Sequence, residues 1–144
     1  MDYGSSFQIS ASGMALEKLR LDVAAANLAN MHSSAPTRDG LYQPLRVVAQ
    51  AIPLSFARQF DGAYAVRTGM PAMTVQAVPV EPHLVREPGH PHADARGFVA
   101  YPGVNHTAEM VNMVSALRTY EANVAALNAA KTMAARALEI GGAQ

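Results

Sequence analysis

The stretch DVAAANLANM, Asp22 to Met31, is almost all alanine, leucine and other apolar residues, yet it holds two asparagines, Asn27 and Asn30. Alanine and leucine are strong helix formers, so the segment reads as helix and as helix that is meant to be covered. Residues three apart lie on neighbouring parts of one helical face. The asparagines therefore place polar groups on or beside a face whose other members are apolar. Such groups lower stability but penalise every alignment that leaves them unpaired, by roughly 1 to 3 kcal/mol each when buried. The plainer alternative is that Asn30 ends the helix and the rest face water.

Working outward, the helix is expected over about Ser6 to Met31. Ile9, Ser12, Leu16, Leu19, Val23, Ala26 and Asn30 follow one another by steps of three and four, the signature of a narrow seam. Ser5 followed by Gln8 has the form of a capping box. Ser10, Ser12 and Gly13 weaken the first turns, and Pro36 biases Ala35 away from helical angles.

A second helix is expected from about Asn105 to Ile140. Met110, Met113, Leu117, Tyr120, Val124, Leu127, Lys131, Ala134 and Leu138 keep the same three-and-four spacing without a break. Asn105 can cap its start, Glu109 suits its positive end, and Gly141 follows its last turn, with Arg136 near the negative end. At ~1.5 Å per residue such a rod is ~50 Å long. Asn123 and Asn128 flank Val124 and Leu127, and Lys131 takes a seam position.

The middle, residues 35–103, has a different character. It holds all nine prolines, and YQPLRVVAQ, AYAVRTG, AMTVQAVPVEP and GFVAYPG are short β-branched runs broken by Pro and Gly. Short strands in a small sheet or hairpin are expected, with turns at Asp61-Gly62 and Pro88-Gly89. Pro44, Pro79 and Pro82 argue against central strands.

The fold expected is mainly α with a small β insert. The two long terminal helices fold back as an antiparallel coiled-coil pair, and the Pro-rich β region lies between them. Half the residues are hydrophobic but only 6% are aromatic and tryptophan is absent, so alanine supplies much of the apolar fraction. Alanine buries little area per residue, and a chain of this kind is expected to find further burial between molecules. The alanine faces suit helix bundling more than ligand binding.

Charge and composition exclude several classes. A formal net charge of +0 and no run of Lys or Arg give nucleic-acid binding little to work with. The absence of cysteine rules out disulfides and thiolate metal sites. The opening MDYGSSFQIS has no basic region before an apolar run, unlike a cleaved secretory signal, and no apolar stretch nears the ~20 residues of a membrane span. His90, His92 and Asp94 in GHPHAD resemble two imidazoles and a carboxylate for zinc or nickel, but a Pro-rich turn with no further ligand cluster reads as an exposed turn. Ser115, Tyr120 and Lys131 lie at different helical angles and make no nucleophile set, and no phosphate loop or dinucleotide fingerprint is present. No enzyme, cofactor, metal, nucleic acid or small-molecule substrate is expected.

LDVAAANLANMHSS resembles the N-terminal signature of the flagellar rod and hook axial proteins. EMVNMVSALRTYEANVAALNAAKTMAARALEIG is similar to the C-terminal helix of that family, and VREPGHPHADARGFVAYPGVN resembles the linking segment of its proximal-rod members. His90 stands where Asn is more usual in that segment, and SSFQISASGMALEKLRLD matches only in its helical pattern.

The resemblance implies three regions: an N-terminal axial helix in 1–34, the insert in 35–103 and a C-terminal axial helix in 104–144, the two helices forming one domain. It implies a structural subunit of the flagellar basal-body rod in the periplasmic space, a torque-transmitting shaft around an export channel. Export by the flagellar type III apparatus without a cleaved signal peptide is implied as well. Partners would be copies of itself, other rod proteins and basal-body components near the inner-membrane ring. The residues expected to carry assembly are Leu16, Leu19, Val23, Asn27, Asn30, Met110, Met113, Leu117, Tyr120, Val124, Leu127 and Leu138. Another axial protein of the rod or hook, or a cytoplasmic coiled-coil adaptor, is the alternative that periodicity alone leaves open.

Overall fold

The computed structural model describes residues 3–50 and 72–141. Helix α1 spans Tyr3–Asn30 and helix α2 spans His106–Gly141. Between them the described residues form a 3-10 turn at Arg38–Gly40 and four short strands: β1 (Leu45–Gln50), β2 (Ala72–Ala77), β3 (His83–Arg86) and β4 (Phe98–Tyr101). The architecture is two long helices with a small β region between.

Each element stops where the residues dictate. Asn30 closes α1: its Nδ2 donates to the Ala26 carbonyl at 2.8 Å, and its own carbonyl accepts from the Ser33 backbone at 3.0 Å and the Ser33 hydroxyl at 2.7 Å. Terminal carbonyls that lack a helical partner are satisfied in this way. Asn105 opens α2 as an N-cap, its Oδ1 accepting from the Ala108 N–H at 3.0 Å. The N-terminal boundary of α1 differs from expectation, because the helix already runs through Ser5 and Gln8 and no capping box forms there.

Strands β1 and β2 make one two-stranded sheet and β3 and β4 another. Val78 N–H donates to the Pro44 carbonyl at 2.8 Å, which sets the end of β2 beside the start of β1, the antiparallel sense. Proline trims these strands: β1 begins only after Pro44, and β2 ends before Pro79. In the second sheet the pairing is antiparallel, with His83 opposite Tyr101, Leu84 opposite Ala100, Val85 opposite Val99 and Arg86 opposite Phe98. Side chains alternate across it, so Val99 is fully buried while Phe98 and Leu84 are exposed. Strand β3 was not among the expected runs; HLVR is short and its apolar pair is flanked by His and Arg. The expected strand in AYAVRTG and the Asp61-Gly62 turn lie outside the described residues.

The described chain forms two compact units, each taking part of both helices. One comprises 19–48 and 75–115 and holds the densest burial: Val99, Asn27 and Ala24 at 0, 1 and 2% exposure, with Leu41 and Val23 beside them in the buried class. The other comprises, of the described residues, 3–18, 49–50, 72–74 and 116–141, and its buried side chains are Ser10, Ser12, Glu17, Ala116 and Ala130. Small residues allow a close helix approach there. A Cβ added at Gly13 of α1 would lie 2.9 Å from both Nδ2 and Oδ1 of Asn123 on α2, so glycine leaves room for that side chain.

Candidate functional site

The first unit is organised around Asn27. Its Nδ2 donates to the Leu45 carbonyl at 2.9 Å, and its Oδ1 accepts from the Leu45 N–H and from the Tyr42 hydroxyl, both at 2.8 Å. The side-chain amide thus pairs with one residue's N–H and C=O together, as a neighbouring strand's backbone would. Buried amides without such partners cost a few kcal/mol, and here the Asn27 side chain is 1% exposed with both ends engaged. The helix therefore supplies a docking point for the first residue of β1. Burial and the negative charge of Glu109, in the first turn of α2, push the Tyr42 phenol up from its ordinary value. Three segments of the chain meet at this junction.

The turn between β3 and β4 is held by its own polar groups. Asp94 Oδ1 accepts from the Arg96 and Phe98 backbones at 2.8 Å each. Those N–H donors, Phe98 foremost, hold the Asp94 carboxyl below its usual range. Gly97 takes a left-handed φ of 80° to complete the turn. Tyr101 donates to Glu87 Oε2 at 3.0 Å, and that bond pushes its phenol up, with burial and the carboxylate charge adding to it. His90 Nδ1 accepts from the His92 N–H at 3.1 Å, and His92 Nδ1 shares a 3.0 Å hydrogen bond with Ser34 Oγ. Asp94 and the two imidazoles therefore have structural partners, and no group of three or more potential metal-ligating side chains converges among the described residues. No helix of the described residues is long and apolar enough to cross a membrane.

The expected assembly residues fall into three groups. Val23 and Asn27 are buried; Leu16, Leu19, Asn30, Met113, Tyr120, Val124 and Leu127 are half-buried. Met110, Leu117 and Leu138 are 44, 48 and 77% exposed. The covered stripe of α2 runs Met113, Ala116, Tyr120, Asn123, Leu127, Ala130 and Ala134, again in steps of three and four. It shares Met113, Tyr120, Leu127 and Ala134 with the sequence-derived seam, but alternates through the small residues Ala116 and Ala130 where that seam uses Leu117 and Lys131. Met110, Val111, Val114 and Leu117 stand exposed along the start of α2, and Met133, Leu138 and Ile140 near its end. Tyr42 and Leu45, partners of Asn27, escaped the sequence reading because nothing in the local pattern links them to α1.

Residues 7–32 match the family described as flagella basal body rod protein. Residues 95–140 match the flagellar basal body rod FlgEFG protein C-terminal family. The flagellar basal-body rod protein FlgC of Bacillus subtilis (strain 168) is 38% identical over 144 residues, covering 94% of this chain and 96% of that protein. The FlgC of Salmonella typhimurium is 38% identical over 136 residues, with 94 and 95% of the two chains covered, and that of Aquifex aeolicus 33% over 140 residues, with 96 and 97% covered.

The chain belongs to the FlgC family of flagellar basal-body rod proteins.

As a FlgC family member it is a structural rod subunit and not an enzyme. The two matched segments map onto α1 and onto β4 with α2, the elements between which the structure inserts its short strands. The FlgC relatives extend the likeness across that insert as well. Asn27 and its neighbours thus sit inside the N-terminal rod segment, while Tyr42 and Leu45 lie beyond it.

Proposed function

We propose that the chain is a proximal-rod subunit in the periplasmic space whose terminal helices pair as a coiled coil, form one domain, and pack against copies of itself and other rod proteins. The shaft so built transmits torque and lines an export channel, and each subunit reaches it unfolded through the flagellar type III apparatus. At its base the rod meets components near the inner-membrane ring. The Pro-rich insert of 35–103 lies outside the helical wall.

The observation that supports this reading is the run of exposed apolar side chains at the start of α2, Met110, Val111, Val114 and Leu117, with Leu138 exposed near its end. Contiguous exposed apolar surface marks an association site. A shaft under load needs many such contacts in parallel, because one exposed polar pair contributes ~1 kcal/mol or less. Apolar burial adds along the helices at ~25 cal/mol per Å² before ordering costs. Methionines suit a surface that meets neighbours in slightly different settings, and Met110 and Met133 are exposed on α2. The assembly residues are those named from the sequence: Leu16, Leu19, Val23, Asn27, Asn30, Met110, Met113, Leu117, Tyr120, Val124, Leu127 and Leu138.

Leu117→Asp and Leu138→Asp test the reading because both side chains are exposed on the single subunit. Each variant is expected to keep its expression level and helix content while cells lose swimming and isolated basal bodies lose their rods. Leu127→Asp, at a half-buried position, is expected to abolish motility as well. Normal swimming with all three would sink the packed-seam reading. Amide exchange on the free subunit, compared with assembled rods, is expected to show helix protection rising on assembly.

A further inference from the structure

The imidazole of His90 does work that an asparagine side chain commonly does in turns, but with an acceptor nitrogen that a proton can occupy. Its Nδ1 accepts from the backbone N–H two residues on, His92, at 3.1 Å. This is the spacing of an Asx-type turn, where an amide oxygen would be the acceptor. One residue pair further, His92 Nδ1 lies 3.0 Å from Ser34 Oγ in the segment that follows α1. The ring of His90 stands edge-on to His92 at 5.3 Å and to Tyr101 at 6.5 Å between centroids.

We propose that His90, His92 and Ser34 form an acid-released latch between the chain leaving α1 and the turn joining β3 to β4. Only an unprotonated Nδ1 can accept the His92 N–H. Once the ring is protonated both nitrogens carry hydrogens, and two donors face each other across that contact. The turn then keeps only its backbone bonds, His90 N–H to the Glu87 carbonyl at 3.1 Å and Ala93 N–H to the His90 carbonyl at 3.0 Å, and the His92 segment loosens its hold on Ser34. The Ser34 bond itself tolerates either charge state of His92, since the hydroxyl can donate or accept.

Other groups around the ring modulate this. The Glu87 carboxylate, held by the Tyr101 hydroxyl at 3.0 Å, attracts an imidazolium and so steadies the released form. Asp94 is spent on backbone donors and lies 3.9 Å from Arg96 Nε, so the two largely offset one another. His32 and Arg38 follow α1 on the Ser34 side and line the groove shared with Glu87 and Tyr101, where the Arg38 guanidinium is a fixed positive charge. Acidification therefore opens the contact and does not tighten it.

Amide exchange of His92 in the full chain, corrected for the intrinsic pH dependence of exchange, reads the latch directly. Between about pH 7.5 and about pH 5.5 its protection is expected to fall by roughly tenfold, the equilibrium weight of one hydrogen bond, with loss of the cross-relaxation between Ser34 and the His92 ring. His90→Asn and His90→Asp both keep an acceptor that does not titrate in this range, and both are expected to show no such fall. Two variants guard against one failing to fold, with far-UV helix content as the check. A flat response in the parent, or an equal response in the variants, overturns the proposal.

Discussion

The Asn27 junction and residues 116–141 of α2 are built from different materials. At the junction the buried group is the polar Asn27, and each end of its amide has a partner in the same subunit. Along residues 116–141 the fully buried residues are Ala116 and Ala130, and the large apolar side chains Met133, Leu138 and Ile140 are 56, 77 and 80% exposed. A satisfied polar network specifies one geometry within a chain. Thin alanine burial specifies little, and it leaves apolar area for other molecules to cover. The difference teaches that one chain holds both a junction satisfied within the subunit and helix surface left uncovered.

Breaking the polar side should have the largest effect. Asn27→Ala strands the Leu45 N–H and carbonyl and the Tyr42 hydroxyl, and is expected to cost on the order of 3 kcal/mol, read by denaturant unfolding and by loss of Leu45 amide protection. Asn27→Asp tests whether the donor matters, since a carboxylate cannot bond the Leu45 carbonyl and would lie in the junction that Glu109 already makes negative. It should be destabilised about as much as the alanine variant; stability equal to the parent would mean that the junction is not the organising feature.

A gentler effect is expected on the alanine side. Gly13→Ala alone must displace the end of Asn123, whereas in an Asn123→Ala background the space is clear. There the same change should stabilise by about 1 kcal/mol through helix propensity. A thermal-denaturation double-mutant cycle that shows no coupling would argue against the close approach of the two helices at this point.

Tyr42→Phe removes one of the bonds to Asn27 and is expected to cost roughly 0.5 to 1 kcal/mol at neutral pH. The parent's phenol is pushed up by burial and by Glu109, so the fold prefers it neutral. Its contribution is complete below the ordinary phenol range near pH 10 and is lost as pH rises toward the raised value. The phenylalanine variant should lack that alkaline slope in unfolding curves.

The smallest effect belongs to Asp94, whose turn is exposed. Its carboxyl is held low by the Phe98 and Arg96 N–H groups, so the turn is intact above the usual carboxylate range and loosens as pH falls through the lowered value. The Phe98 amide shift should follow that titration in the parent and not in Asp94→Asn.

Much of this molecule is legible from residue order. Both helices were expected to within a few residues, because 28- and 36-residue segments carry enough period for the pattern to be unambiguous. Strand β1 was expected from YQPLRVVAQ, and Pro44 sets its start. Strand β3 was not, since four residues carry almost no period. The phase of the α2 stripe was only half legible. Two registers of a three-and-four repeat share Met113, Tyr120, Leu127 and Ala134, and the remaining positions go to Ala116 and Ala130 in one or to Leu117 and Lys131 in the other. Ranking by hydrophobicity picks the leucine; a close helix approach covers the alanines.

By itself, the sequence determined the two long helices, the Pro-broken middle, and the presence of polar groups where apolar ones would be ordinary. These depend on local spacing, capping and propensity, which act over a few residues. Only the tertiary structure decided what Asn27 is for, because its partners Tyr42 and Leu45 lie 15 and 18 residues away and are chosen by packing. Asn30, of the same residue type, bonds back to Ala26 of its own helix. A side chain's hydrogen-bonding capacity is written in the sequence, but the groups that meet it are set by where the folded backbone brings a free N–H and C=O within 3 Å.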